Sequence, residues 1–117
     1  MKGRTVTKEE KQFHDNLCRH VGCIACRFEG RFNDWVSVHH IGGRTKPDAH
    51  KKVLPLCAGH HQDNGTAIAV HPHKARFEAE YGHQFELLIK CVTILREKKI
   101  NVPERVLEIT GFRVVLS

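Results

Sequence analysis

Residues 38–61 read VHHIGGRTKPDAHKKVLPLCAGHH. The stretch opens on His39 and His40, closes on His60 and His61, and sets Cys57 three residues before His60. Four imidazoles and a thiol in one compact unit exceed what core packing or a solvated surface requires, so metal chemistry is the first expectation. Residues 35–38 alternate as a strand that runs into His39, Gly42 and Gly43 break it, and residues 44–52 form a polar, basic loop. Residues 53–56 are an apolar returning strand, which Pro55 confines to an edge or a strand end, and residues 57–61 open a helix. Successive side chains on a strand point to opposite faces, so His39 and His40 share one site only if the backbone bends there. On the helix, His60 and His61 lie about 100° apart and can face two different ions.

Upstream, Cys23-Ile24-Ala25-Cys26 is a tight knuckle whose two-residue spacer lets both thiolates reach one ion. Thirty residues separate it from Cys57-Ala58-Gly59-His60. Cys23, Cys26, Cys57 and His60 are therefore a Cys3His set suited to a closed structural zinc, with thiolates at about 2.3 Å and imidazole at about 2.0 Å. With those four assigned, His39, His40 and His61 remain beside the zinc and unexplained by it.

The flanking chain reads as helices. Thr7-Lys8-Glu9-Glu10 matches a capping box, and a helix over residues 8–20 buries Phe13, Leu17 and Val21 before Gly22 stops it at the knuckle. Downstream, a helix over 73–81 carries Phe77 and Tyr81 and ends at Gly82. Another, over 84–98, presents Phe85, Leu88, Val92 and Leu95 on one face with Ile89 beside them. Cys91, with no nearby Cys or His, reads as a buried small hydrophobe. Val106, Leu107 and Ile109 suggest a short helix after Pro103, and residues 112–116 pair as a strand or dock. The expected class is α+β, as a single domain over residues 1–117, with residues 1–6 a flexible basic arm carrying Lys2 and Arg4.

Nineteen Lys and Arg against thirteen Asp and Glu give +6 with the ten His neutral. That excess favours a polyanionic partner, nucleic acid before others. No apolar run approaches the ~20 residues of a membrane span, and the opening MKGRTVTKEEK lacks the apolar segment of a signal peptide. A cytoplasmic protein is expected. In a reducing compartment, five Cys that include the Cys23-x-x-Cys26 pair point to metal binding before disulfides.

His39-His40 on the strand and Leu56-Cys57-Ala58-Gly59-His60-His61 at the helix resemble the HNH, or ββα-metal, endonucleases. The segments KGRT at 2–5, CIAC at 23–26, VSVHHIGGRT at 36–45 and HKKVLPLCAGHH at 50–61 are closer still to the phage recombination-enhancement nucleases, the Ref family. These segments cover roughly the first half of the chain. The resemblance implies a small ββα-metal, treble-clef-like core with a structural zinc knuckle, packed by flanking helices. It implies His40 as general base, and His39 and His61 as ligands of a catalytic divalent ion. It further implies DNA, single-stranded or RecA-coated, as substrate, 5′-phosphate and 3′-hydroxyl products, and a RecA filament in a bacterial host cell as partner.

The residues support hydrolysis independently. A neutral imidazole, with pKa near 6.5, suits proton abstraction from water at neutral pH, and an ion on His39 and His61 with water in its open positions can bind the phosphate and the leaving oxygen. Two departures from the family pattern bear on the chemistry. The family often has Asp where His39 stands, and an all-imidazole site suits Mn or Zn better than the oxygen-seeking Mg. The middle Asn is absent, with Lys52 nearest its place; Asp48 and His50 are the candidates to orient His40. Arg44, Lys46, Lys51 and Lys52 are the candidate phosphate contacts. His71 and His73 flank Pro72; solvation accounts for His73, and His71 is open between solvent and an approach to the site. His14, His20 and His83 read as surface or satisfied core residues, and Lys98 and Lys99 as a solvated helix end. The competing functions are a zinc-stabilised nucleic-acid-binding module without catalysis, which has no need of His40 or His61, and a structural zinc protein, which has no need of the basic loop.

Overall fold

The computed structural model describes residues 5–62 and 64–114. Most of the basic arm expected over 1–6, and the end of the segment expected to pair or dock over 112–116, lie outside these residues. The first helix, α1 (Lys8–Asn16), begins on the expected capping box: Thr7 Oγ accepts from the Glu10 amide and the Glu10 carboxylate accepts from the Thr7 amide. It continues into one wider π-type turn, Leu17–Val21, which buries Leu17 and Val21. Gly22 then stops it with φ +69°, and an added Cβ there would lie 2.6 Å from the Asn33 carbonyl oxygen, so only glycine fits. The freed carbonyls are capped from outside: Arg27 donates to Val21 and His20, and Lys98 also donates to His20. Lys98 is thus engaged where a merely solvated helix end was expected.

The knuckle follows directly. Cys23 is the N-cap of the short α2 (Ile24–Phe28), its sulfur accepting from the Cys26 amide. Strands β1 (Val36–His40) and β2 (Val53–Cys57) then form a two-stranded antiparallel hairpin in which Val36 faces Cys57, Val38 faces Pro55 and His40 faces Val53. Both strands are edges of this sheet, which is why Pro55 is tolerated within one of them. The loop between them carries a single 3-10 turn, Ala49–Lys51. β2 runs straight into the one-turn helix α3 (Ala58–His61), whose Gly59 lets Thr66 approach so closely that a Cβ would meet its hydroxyl at 2.4 Å.

Helices α4 (Lys74–Tyr81), α5 (Gln84–Glu97) and α6 (Glu104–Ile109) complete the described chain. The core joins Phe13, Leu17 and Val21 to Val53, Leu54 and Leu56 of β2 and to Leu88, Val92 and Leu95 of α5. Phe85 departs from expectation. It is 39% exposed, and the buried stripe of α5 runs instead through Gln84, Leu87, Leu88, Cys91, Val92 and Leu95. Cys91 is a packed hydrophobe, as its isolation in the sequence suggested, and Phe112 packs against the core with Arg96 over its ring. No described helix is long and apolar enough to cross a membrane.

Candidate metal centres and active-site cluster

Cys23, Cys26, Cys57 and His60 converge, their ligand atoms all within 4.8 Å of one another. The Cys26 and Cys57 sulfurs are 3.7 Å apart, and His60 Nδ1 lies 3.4, 3.6 and 3.1 Å from the sulfurs of Cys23, Cys26 and Cys57. A tetrahedral zinc with ordinary bond lengths requires roughly 3.8 Å between sulfurs and about 3.6 Å between sulfur and nitrogen. The set therefore fits a closed zinc site. Burial pushes the Cys23 thiol up to about 12 and raises Cys26 as well, so a bound cation is what would hold these sulfurs as thiolates.

The imidazole of His60 is oriented by two residues that the sequence did not mark. Tyr81 donates its hydroxyl to the Glu29 carboxylate. Its oxygen lies 3.1 Å from His60 Nε2 and accepts a hydrogen bond from that N–H. The Nδ1 lone pair then points at the sulfurs, the arrangement that orients metal-bound histidines generally. Burial holds His60 below its ordinary value and therefore neutral, as a ligand must be.

A second cluster forms from His39, His61 and His71, again with ligand atoms within 4.8 Å of one another. The ring of His39 is 5.3 Å from that of His61 and 4.9 Å from that of His71. His71 arrives because residues 70 and 71 run alongside α3: the Val70 amide donates to the His60 carbonyl, and the His71 amide donates to the His61 carbonyl. Its position, open in the sequence, is thus beside the site, whereas His73 is exposed and outside the cluster. Three imidazoles leave coordination positions open, the pattern of a catalytic rather than a structural ion. Two of the three rings also have an outer partner: Gln84 Oε1 lies 2.7 Å from His39 Nε2, and Ser37 Oγ lies 2.8 Å from His61 Nδ1. Burial, with the neighbouring His61 and His71, holds His39 down at about 4 despite the Gln84 contact, and burial lowers His61 too.

His40 does not join this cluster. The strand remains regular through both histidines, so the alternation of faces separates them, and the bend that would bring both rings onto one ion is absent. His40 instead places Nε2 3.0 Å from His50 Nδ1, while His14 Nε2 donates to the His50 carbonyl at 2.7 Å. His14 therefore belongs to a half-buried histidine network, with its ring 6.1 Å from that of His40. Burial first, and then the Arg44 charge with His50 and His14, hold His40 down at about 4. The Arg44 charge, after burial and the neighbouring His71, also lowers His61.

The other loop candidates divide. Arg44 and Lys46 are exposed and Lys52 is half-buried. Lys51 instead ion-pairs with the buried Glu10 of α1. Asp48 is taken by Arg105, whose Nη2 lies 3.0 Å from its carboxylate, so of the two candidates for orienting His40 only His50 touches it.

A small α+β protein whose hairpin and helix hold one Cys3His set, with a second imidazole cluster alongside, has the residue inventory of a metal-binding protein. A family model described as recombination enhancement, RecA-dependent nuclease, matches residues 6–96, and the chain belongs to that family. The match extends well past the first half of the chain, through α4 and most of α5.

Proposed function

We propose that this chain is a metal-dependent endodeoxyribonuclease of the HNH type, folded as one domain around a ββα-metal core made of β1, β2 and α3. It would act in recombination, on DNA that is single-stranded or coated by RecA. Cys23, Cys26, Cys57 and His60 hold a structural zinc. His39 and His61, joined by His71, hold the catalytic ion; an all-imidazole set favours Mn or Zn over Mg. His40 is the general base. With His50 Nδ1 accepting from His40 Nε2–H, the Nδ1 lone pair of His40 is left to take a proton from water. Arg44, Lys46 and Lys52 face the phosphates, whereas Lys51 is assigned to packing through Glu10. When bound, the divalent ion supplies charge stabilisation to the phosphate and the leaving oxygen.

The single observation that carries this reading is the separation of neighbouring histidines by strand alternation. It gives three imidazoles to an open ion site and leaves one neutral imidazole, with its own orienting partner, across the strand end. A binding module has no use for that division. The test is a nicking assay on single-stranded and RecA-coated duplex DNA with Mg, Mn or Zn, comparing wild type with His40→Ala. Loss of a general base lowers turnover by roughly 10²–10⁴-fold. Full activity in the variant removes His40 from the role, and an inactive wild type under every metal, with RecA present, replaces the nuclease by a zinc-stabilised binding module.

A further inference from the structure

Trp35 is 87% exposed, the most exposed of the chain's large hydrophobic residues among those described. Phe28 and Phe32, also exposed, each carry a cation over the ring, Lys90 and Arg27 respectively; among the described residues no cation covers Trp35. A single exposed aromatic is ordinary on a protein surface, so what singles Trp35 out is its place in the fold. Trp35 immediately precedes β1, and the period of two sets it in line with Ser37 and His39. Ser37 touches His61, and His39 belongs to the three-histidine cluster.

Two neighbouring hollows lie between them and share part of their lining. One hollow is lined by Trp35 and Asp34 with Ser37 and Ala58; the next is lined by the same Ser37 and Ala58 together with His61 and Asn64. The two ends differ in charge. Arg44 is exposed in the loop just beyond the His40 end of β1, and Asp34 lines the hollow of Trp35 at the other end. A phosphate is favoured at the first and repelled at the second, which leaves the indole to a neutral group whose amino edges an acidic residue can accept. An unpaired nucleobase has that chemistry, and base stacking on an aromatic ring is how single strands are commonly held. From Trp35 to His39 the strand advances by roughly 13 Å, so the base belongs to a nucleotide flanking the cleaved bond and not to the one being cut.

We propose that Trp35 is a stacking platform for an unpaired base of the DNA strand whose phosphate lies at the His39, His61 and His71 cluster. The platform gives the enzyme a preference for single-stranded or locally opened DNA. It rests on the nuclease reading above.

Trp35 is the chain's only tryptophan, so intrinsic fluorescence reports on this ring alone. The whole chain carrying His40→Ala, the variant expected to suppress cleavage, is titrated with a dye-labelled oligonucleotide as single strand, as duplex, and as single strands bearing one abasic site at successive positions. Dye anisotropy reads binding and tryptophan emission reads stacking. Expected are quenching by the single strand, little by the duplex, and loss of quenching for one abasic position only. Trp35→Ala should weaken single-strand binding roughly tenfold with an unchanged melting temperature, and Trp35→Phe should restore most of it. Binding by anisotropy with unaltered emission overturns the platform while leaving nuclease activity of the wild type standing. So does emission that responds only to a RecA filament without DNA contact, which would make Trp35 a protein-docking residue. Neither binding nor wild-type cleavage under any condition overturns the platform and the nuclease reading together.

Discussion

His39 Nε2 and Gln84 Oε1 lie 2.7 Å apart, and the other end of the same amide donates from Nε2 to the Glu78 carboxylate at 3.2 Å. A carboxylate can only accept, so it fixes the amide with its NH2 toward Glu78 and its oxygen toward His39. His39 must then donate from Nε2, and its Nδ1 lone pair is left for an ion. Gln84→Leu keeps the volume of a side chain that is 4% exposed but releases this tautomer. Ion affinity at the second site should fall by about 10–100-fold, read by competition with a chromophoric chelator, while zinc at the Cys3His site is unchanged. A merely structural Gln84 would instead lower the melting temperature and leave ion affinity where it was.

The Cys3His set ties the end of β2 to α2 and α3, because Cys57 is the last residue of the strand and Cys23 the N-cap of α2. A structural zinc contributes about 10–16 kcal/mol of apparent binding energy to small domains, as much as the entire ~5–15 kcal/mol net stability of a typical protein. Cys57→Ser should therefore abolish zinc retention and the cooperative melting transition together, checked by elemental analysis and circular dichroism. Chelation of the wild type should do the same. A variant that keeps one zinc per chain and melts normally would refute the four-ligand set.

The Cys3His set was legible because short spacers leave two ligands little choice but to share a site, and the helices were legible from caps and apolar period. The division of the histidines was only half legible. Period-two alternation shows that His39 and His40 face apart, but not which partners wait on each side, since His71, Gln84, Tyr81 and His14 are brought in by packing over long separations. Gln84 did carry a signal: it is a polar residue at helical spacing with Leu88, Cys91 and Leu95, on the stripe that proves to be core. Phe85 is the one member of the expected stripe that turns outward: Leu88, Val92 and Leu95 are buried, and Gln84 takes the place at the start of the face. Lys51 looked like its neighbours in a basic loop, and nothing local in the sequence distinguishes it; its partner Glu10 lies on α1, forty-one residues earlier.

The Lys51 and Glu10 pair makes a pH-dependent contribution whose sign follows from the carboxylate. Burial alone would raise Glu10, but hydrogen bonds and charge from Lys51 and the Thr7 cap overcome it and hold Glu10 down at about 2. A carboxyl held low stabilises the fold above its unfolded pKa and loses that contribution as pH falls toward the folded value. Side-chain exposures of 17% and 7% place the pair between surface and interior, so Lys51→Met should cost about 2 kcal/mol at neutral pH. The difference between wild type and variant should be constant down to about pH 5 and shrink below it. Urea melts of both proteins at matched pH and zinc cancel the acid losses they share. A difference that grows as pH falls would contradict the assignment.

Arg44 differs from Lys51 in being exposed, and its charge lowers both His40 and His61. A cation that neutralises one phosphate contributes about 0.7 to the slope of log affinity against log salt for single strands. Arg44→Gln should therefore weaken binding to single-stranded DNA and flatten that slope by about 0.7, with the melting temperature nearly unchanged. Lys51→Met, whose ammonium is already satisfied by Glu10, should show the reverse, a loss of stability with an unaltered slope. Fluorescence anisotropy over a series of salt concentrations separates the two. Equal flattening in both variants would mean that the basic loop acts as a diffuse field, with no single guanidinium seated on a phosphate beside the histidines.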